Sequence, residues 1–169
     1  MSDLYVGLYP EKSTNQWLKN LVAESPFASS ETELPFHITL MYCRSTMGTK
    51  ITLEQFQELS EPDEEYLAFA DSVKIWEDHK SRYILVLTIR SSKMLQRHKY
   101  WNKLGAVHSY SVWTPHLTLS TELPDYLVSS VEMQEWINET NKQLKHQKVS
   151  MLFSGEKAQR IKTGAEKLE

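Results

Sequence analysis

The chain switches repeatedly between a two-residue and a three-to-four-residue hydrophobic period. In residues 3–9, Leu4, Val6 and Leu8 alternate with Tyr5, Gly7 and Tyr9, the pattern of a half-buried strand. Pro10 ends it. From Ser13 to about residue 24 the stripe Trp17, Leu18, Leu21 and Val22 has helical spacing. Residues 26–34, rich in Ser and Glu, read as a loop, and a second strand spans residues 36–42. After a connection at residues 44–50, Thr52 and Gln55 have capping-box spacing for a short helix bearing Leu53, Phe56 and Leu59. Residues 58–65 are acidic, contain Pro62 and read as a solvated turn. A long strand is predicted over residues 66–77, with Leu67, Phe69, Val73 and Ile75 toward a core and Ser72, Lys74 and Trp76 on the other face. A turn at residues 78–81 leads into residues 82–90, apolar on both faces as in a central strand. Ser91 or Ser92 caps the next helix, with Met94, Leu95, Trp101 and Leu104 inward and Gly105 as its stop. A strand near residue 116 follows. Ser129 and Glu132 then open a helix to about residue 146, whose stripe is Val131, Met133, Trp136, Ile137 and Leu144, and residues 148–153 form a last strand.

The order is therefore strand-helix-strand-helix-strand, repeated. This is an α+β chain built as two pseudo-symmetric lobes of mainly antiparallel sheet with helices outside. Residues 1–154 read as one bilobal domain, and residues 155–169, polar and rich in Lys and Glu, as a C-terminal tail.

The third element of each half carries nearly the same words: Pro35-Phe36-His37-Ile38-Thr39-Leu40 and Thr114-Pro115-His116-Leu117-Thr118-Leu119. The chain has six His and 12 Thr, so about 0.4 His-x-Thr matches arise by chance, and about 0.01 once an aliphatic x and a following Leu are required. One such tetrapeptide fits a half-buried strand with an incidental histidine; two copies call for another reason. In a strand, positions i and i+2 share a face. His37 and Thr39 then point one way and Ile38 and Leu40 into a core, and likewise His116 and Thr118 against Leu117 and Leu119. Two lobes facing each other bring both His-x-Thr faces into one central cleft.

Composition removes other classes. At 169 residues, 24% charged and 40% hydrophobic, the chain is of ordinary globular type. A net charge of -3 argues against tracking along long nucleic acid, which needs a basic stripe, but permits a small phosphate-bearing ligand in a locally positive cleft. Cys43 is single, so there is neither an internal disulfide nor a Cys-based zinc site. No segment reads as a signal peptide or a membrane span, which implies the cytoplasm, that of the host cell if the chain is viral.

Two imidazoles across a cleft supply a general base and a general acid, and the threonine hydroxyls supply donors to non-bridging phosphate oxygens. On these residues, and on the order of elements over nearly the whole chain, the sequence resembles the two-histidine (2H) phosphoesterase superfamily. The resemblance implies a bilobal fold, cleavage of phosphodiesters in nucleotides without metal or cofactor, and catalysis by His37, Thr39, His116 and Thr118. The short form, the acidic balance and the lack of RNA-binding modules are similar to the phage anti-CBASS nucleases, which destroy cyclic oligonucleotide immune messengers. That subfamily implies cleavage of 3′-5′ bonds in cyclic di- or trinucleotides, with a ribose 2′-OH as nucleophile and aromatic side chains clamping the bases. Tyr9 and Trp76 are the candidate base clamps and Lys74 the candidate phosphate contact. Trp76 and Tyr9 also suit plain amphipathic packing, and Lys74 a solvated charge.

The expected partner is a small cyclic or short oligonucleotide. Competing readings are a phosphodiesterase for 2′-5′ oligoadenylates or 2′,3′-cyclic phosphates, and a module that sequesters nucleotides without turnover. A metal site on His37 and His116 lacks the usual third and fourth ligands. His79, His98, His108 and His146 read as surface residues, Trp17, Trp101 and Trp136 as core, and Tyr110 and Trp113 as possible cleft lining.

Overall fold

The computed structural model describes residues 2–27, 35–44, 48–78, 80–109 and 112–162. His79, Tyr110, most of the loop at 26–34 and the end of the predicted tail lie outside that set. The order is β1 (Ser2–Leu8), α1 (Lys12–Ala23), β2 (Ile38–Cys43), α2 (Leu53–Leu59), β3 (Tyr66–Glu77), β4 (Tyr83–Arg90), α3 (Ser92–Lys103), β5 (His116–Leu123), α4 (Asp125–Val128), α5 (Val131–His146), β6 (Ser150–Phe153) and β7 (Lys157–Lys162). The strands form one mixed-connection, all-antiparallel sheet in the order β6-β3-β4-β5-β2-β1-β7. None of the described helices is long and apolar enough to cross a membrane.

Local chemistry explains the elements. Thr52 and Gln55 make the reciprocal capping box at α2. Ser91 caps α3 by accepting from Met94 N. At α5 the cap is Ser130 rather than Ser129, accepting from Met133 N, so Val131 sits in the first turn, 70% exposed. In α3 the inward stripe is Met94, His98 and Trp101. Leu95 and Leu104 face outward, because the i, i+4, i+7 set fixed by Trp101 includes the histidine instead.

Strand β3 changes face midway. Ala70 pairs with Ile89 and Ser72 with Thr88, which leaves Asp71 as an extra residue. This bulge shifts the alternation: Tyr66, Ala68 and Ala70 are buried before it and Val73 after it, so Leu67, expected inward, is 53% exposed. Beyond the bulge the edge of β3 is covered by α5, where the Asn141 side chain accepts from Val73 N at 2.6 Å and donates to Val73 O at 3.0 Å.

The grouping of strands also departs from the expected repeat. A tight turn follows β3, in which Asp78 accepts from the backbone N of Lys80 and Arg82. It makes the hairpin expected at residues 78–81 and so sets β3 beside β4, outside the group of β1 and β2 with which the repeat counted it. The outer place beside β1 is taken by β7, formed by residues expected in a polar tail. Lys157–Lys162 has little apolar signal because an edge strand needs only its backbone to pair.

The sheet is rolled. Laid flat, seven strands at ~4.8 Å spacing put β6 and β7 about 29 Å apart, yet only residues 154–156 join them, a reach of at most ~14 Å. The two are halves of one bent segment: its first half pairs with β3 and its second with β1. At the bend Pro10 bridges to Phe153, and Ser154 N donates to Tyr9 O at 2.7 Å. Gly155 is required there, since a Cβ would run into the backbone carbonyls of Glu61 and Pro62. The next residue, Glu156, is 1% exposed. Its carboxylate is held by Arg97, by Trp101 Nε1 at 2.6 Å and by Glu61 N at 3.0 Å. Removing one member of such a buried pair strands the other charge. Arg97→Met is expected to lower unfolding free energy by about 3–5 kcal/mol in urea titrations, and Glu156→Gln, which keeps the shape, by less.

Candidate active site

Helices α1, α3 and α5 pack against β6, β2 and β3. The other face of the sheet, carrying Ser72, half-buried Trp76 and exposed Lys74, forms the inner wall of the roll. Both His-x-Thr pairs lie at its centre. Between β2 and β5 the ladder among the described residues is one antiparallel pair, Ile38 with Leu117. Continued one residue either way, this register sets His37 against Thr118 and Thr39 against His116, all four on the face opposite Ile38 and Leu117. The two histidines are diagonal neighbours, a relation worth ~7–8 Å between backbones.

A pseudo-two-fold through the Ile38–Leu117 pair relates the motifs in detail. His37 Nδ1 lies 3.0 Å from the Pro35 carbonyl and His116 Nδ1 2.8 Å from the Thr114 carbonyl. A carbonyl only accepts, so each Nδ1 carries the proton and each Nε2 presents a lone pair. Each motif leucine is a bulge. Val6 pairs with Met41 and Gly7 with Thr39, leaving Leu40 without a partner on β1. Leu85 pairs with Ser120 and Val86 with Thr118, leaving Leu119 without one on β4. The bulges end the regular alternation directly after each threonine and bend the strands there.

His37 and Thr39 are buried, as is Thr118, while His116 is half-buried. Among the described residues, His37 Nε2 and Thr118 Oγ1 are buried atoms with no hydrogen-bond partner, and the register places these two residues opposite each other. Burial is the largest cause holding His37 below the ordinary imidazole pKa; the Pro35 hydrogen bond opposes it and the His116 charge adds to it. Burial lowers His116 too, against the Thr114 hydrogen bond. Cys43, by contrast, is a buried thiol pushed up to about 11, chiefly by burial, and is no nucleophile.

The proposed base clamps stand beside the histidines. The Tyr9 ring is 6.2 Å from that of His37, and the Trp76 ring makes an edge contact with His116 at 4.7 Å. Lys74 pairs with Val86, which pairs with Thr118, so it lies two strands out on the same face. Tyr5, not among the residues expected at the site, stands beside them. Its ring lies over Gly7, where a Cβ would meet it at 2.6 Å, and its phenol oxygen accepts from Thr39 Oγ1 at 3.4 Å. The signal was the Tyr5-Gly7-Tyr9 alternation on the non-core face.

Three further residues belong behind the site. His98, expected on the surface, is 8% exposed; its Nδ1 donates to Leu40 O at 2.7 Å, and its ring stacks on Trp113 at 4.2 Å. Trp113 Nε1 donates to Thr39 O at 2.9 Å, so it supports the strand. His108, also expected at the surface, is half-buried and accepts from Tyr42 N at 3.0 Å. Past the Ile38–Leu117 pair, these side chains satisfy the backbone of β2 where no neighbouring strand does. His146 is exposed, as expected. Trp101 is fully buried, and Trp17 and Trp136 pack partly buried against the core.

An α+β protein with two register-matched His-x-Thr strands on one sheet face is the class these features define. The chain belongs to the Acb1 anti-CBASS protein family, whose model matches residues 2–151, a span that includes both motifs and stops before β7. It is similar to the anti-CBASS protein Acb1 of Salmonella phage S16, 28% identical over 119 residues, which are 70% of this chain and 72% of that one. The same-named proteins of Yersinia phage phiR1-RT (26% identical, 69% and 70% covered) and Vibrio phage KVP40 (24%, 69% and 70%) are also similar.

The imidazole environments lead to a direct expectation. In NMR titrations both His37 and His116 are expected to protonate below the ordinary value of about 6.5. His116→Gln is expected to raise the His37 pKa, by removing the neighbouring positive charge; an unchanged His37 would place the rings too far apart to share a ligand.

Proposed function

We propose that this protein is a phosphodiesterase that cleaves 3′-5′ bonds in cyclic di- or trinucleotide immune signals by proton transfer at His37 and His116, and thereby counters CBASS. The observation that carries this reading is the facing pair of orphan atoms, His37 Nε2 and Thr118 Oγ1. Each buried unpaired group costs about 1–3 kcal/mol, and a ribose hydroxyl and a phosphate oxygen satisfy them together. The relatives' name, anti-CBASS protein, supports the biological setting; the class of messenger is taken from the resemblance to the anti-CBASS nucleases. In this reading the strands on either side of the Ile38–Leu117 pair are the two lobes of a 2H phosphoesterase-like fold, and the trough between them is the cleft.

The reaction runs in line at phosphorus. One imidazole accepts the ribose 2′-OH proton at Nε2 as O2′ attacks. The other, protonated at Nε2, gives its proton to the leaving 5′ oxygen. The O2′–P bond forms, the P–O5′ bond breaks, and a 2′,3′-cyclic phosphate end remains for water to open with the roles reversed. Thr39 and Thr118 donate to the non-bridging oxygens as charge builds there. Tyr9 and Trp76 stack against bases at ~1–3 kcal/mol each, and Lys74 meets a phosphate. Every proton transfer has a side chain assigned to it, so the scheme requires no metal step.

Chromatography of products from a panel of cyclic and linear oligonucleotides, with chelator present, tests the proposal. His37→Ala or His116→Ala is expected to abolish most turnover while leaving binding largely intact. Thr39→Ala or Thr118→Ala is expected to slow it about 10²–10³-fold. Near-normal turnover in either histidine variant, or cleavage of linear 2′-5′ substrates alone, overturns the reading.

The pH profile follows from the depressed imidazoles. The active free protein holds one proton on the pair. Because both groups titrate low, that form becomes scarce as pH rises past the upper macroscopic pKa. kcat/KM is expected to peak below about pH 6.5 and to fall toward tenfold per unit above it. A bound phosphate anion stabilises the imidazolium, so kcat is expected to peak at higher pH. A kcat/KM flat from pH 6 to 9 contradicts the scheme.

A further inference from the structure

The register of the sheet reaches further than the four motif residues. One row across the inner face runs Lys157, Gly7, Thr39, His116, Thr88 and Ser72; the next runs Tyr9, His37, Thr118, Val86 and Lys74. The pseudo-two-fold that exchanges Thr39 with Thr118 exchanges Gly7 with Val86. It therefore exchanges Lys157, which pairs with Gly7, with Lys74, which pairs with Val86. The two lysines are symmetry mates, each two strands out from a motif threonine, on opposite walls of the trough.

Both are exposed, and neither has an ion pair among the described residues. The two rows contain no carboxylate. Of the carboxylates beside them, Asp71 on the β3 bulge is engaged by Arg90 at 3.3 Å and Thr88 at 3.2 Å, and Asp3 on β1 accepts from the Tyr42 hydroxyl. In a chain of net charge -3, these two rows carry lysine charge with no carboxylate in them. The exposed Lys157 ammonium rests 5.1 Å over the Tyr9 ring, whose centre lies 6.2 Å from that of His37. Lys157 lies on β7, beyond residues 2–151, the span that the family model matches.

We propose that Lys157 is a ligand-binding residue of this site and contacts a phosphate other than the one cleaved, as the counterpart of Lys74. The inference rests on the proposed function and deepens it. The ligand has one phosphate at the histidines and a further phosphate toward each wall, which a ring of three phosphodiesters provides and a mononucleotide does not. Lys157 acts on binding, as a point charge on a flexible stem, and takes no part in proton transfer.

Titration calorimetry of the His116→Ala protein, at 50 and 200 mM salt, separates the possibilities. The probes are cyclic triadenylate and adenosine 2′,3′-cyclic phosphate. Adding Lys157→Gln is expected to weaken cyclic triadenylate about tenfold at low salt, as for one lost charge-assisted contact. It is also expected to shrink the salt dependence by about 0.7 in log–log slope. The mononucleotide is expected to stay within twofold, and Lys157→Arg to restore the ring's affinity. Equal losses for both probes, or no loss for either, overturn the role of Lys157. If the parent protein binds the mononucleotide but no cyclic oligonucleotide, the proposed function itself fails and this inference falls with it.

Discussion

The pairing of Ile38 with Leu117 is the contact on which the arrangement of the site depends. Both residues are fully buried, and theirs is the one ladder pair described between β2 and β5. Strand alternation turns that single register into four side-chain positions. A slip by one residue on either strand would swing its histidine and threonine to the helix-covered side and bring its aliphatics into the trough, at the full cost of exposing them. The hydrophobic core thus sets the geometry of the polar face, and the aliphatic residue between His and Thr is as much a part of the motif as the two it separates.

A single pair cannot hold two halves of a sheet in place, and the structure supplies other ties. On the far side of the roll, the bent segment of β6 and β7 pairs with both halves, secured at its bend by Gly155 and by Glu156 against Arg97 and Trp101. Beside the site, Trp113 leaves β5's approach to donate to Thr39 O and stacks on His98, which itself donates to Leu40 O. The backbone of β2 is thereby held from the helix side while the His37 and Thr39 side chains are left to the trough. Bulges at Leu40 and Leu119 give both strands the same local bend, so two unlike half-sheets present matching His and Thr geometry.

Much of this was legible in the residues. The strand over residues 66–77, the capping box at Thr52 and the paired motifs follow from period and spacing, which are local. The bulge at Asp71 was not, because an extra residue shows only against a partner strand; Leu67 looked inward as a result. His98 looked like a surface histidine because one imidazole on a helix carries no sign of the backbone carbonyl it will meet. Strand β7 was hidden for a related reason: Lys157–Lys162 pairs through its backbone at an edge, where side chains need not be apolar. The candidate site was readable because it repeats. What flanks it, Tyr5 across Gly7 and Trp113 behind Thr39, depends on contacts remote in sequence.

The symmetry of the motifs sharpens a chemical question, since a base and an acid must differ at the moment of reaction. The two imidazoles have the same tautomer, the same backbone anchor and the same direction of pKa shift. Their surroundings differ. Thr39 already donates to Tyr5, whereas Thr118 is unpaired; His37 lies deeper and beside tyrosines, whereas His116 is half-exposed beside Trp76. In the proposed reaction the protein need not fix the roles for all ligands. A phosphate seated first against the free Thr118 hydroxyl, opposite His37, would orient the ring, and its ribose hydroxyl would then select the imidazole it meets. The same near-symmetric pair would serve the later opening by water, in which the roles exchange, so that near-symmetry suits a two-step reaction better than a fixed base and a fixed acid would.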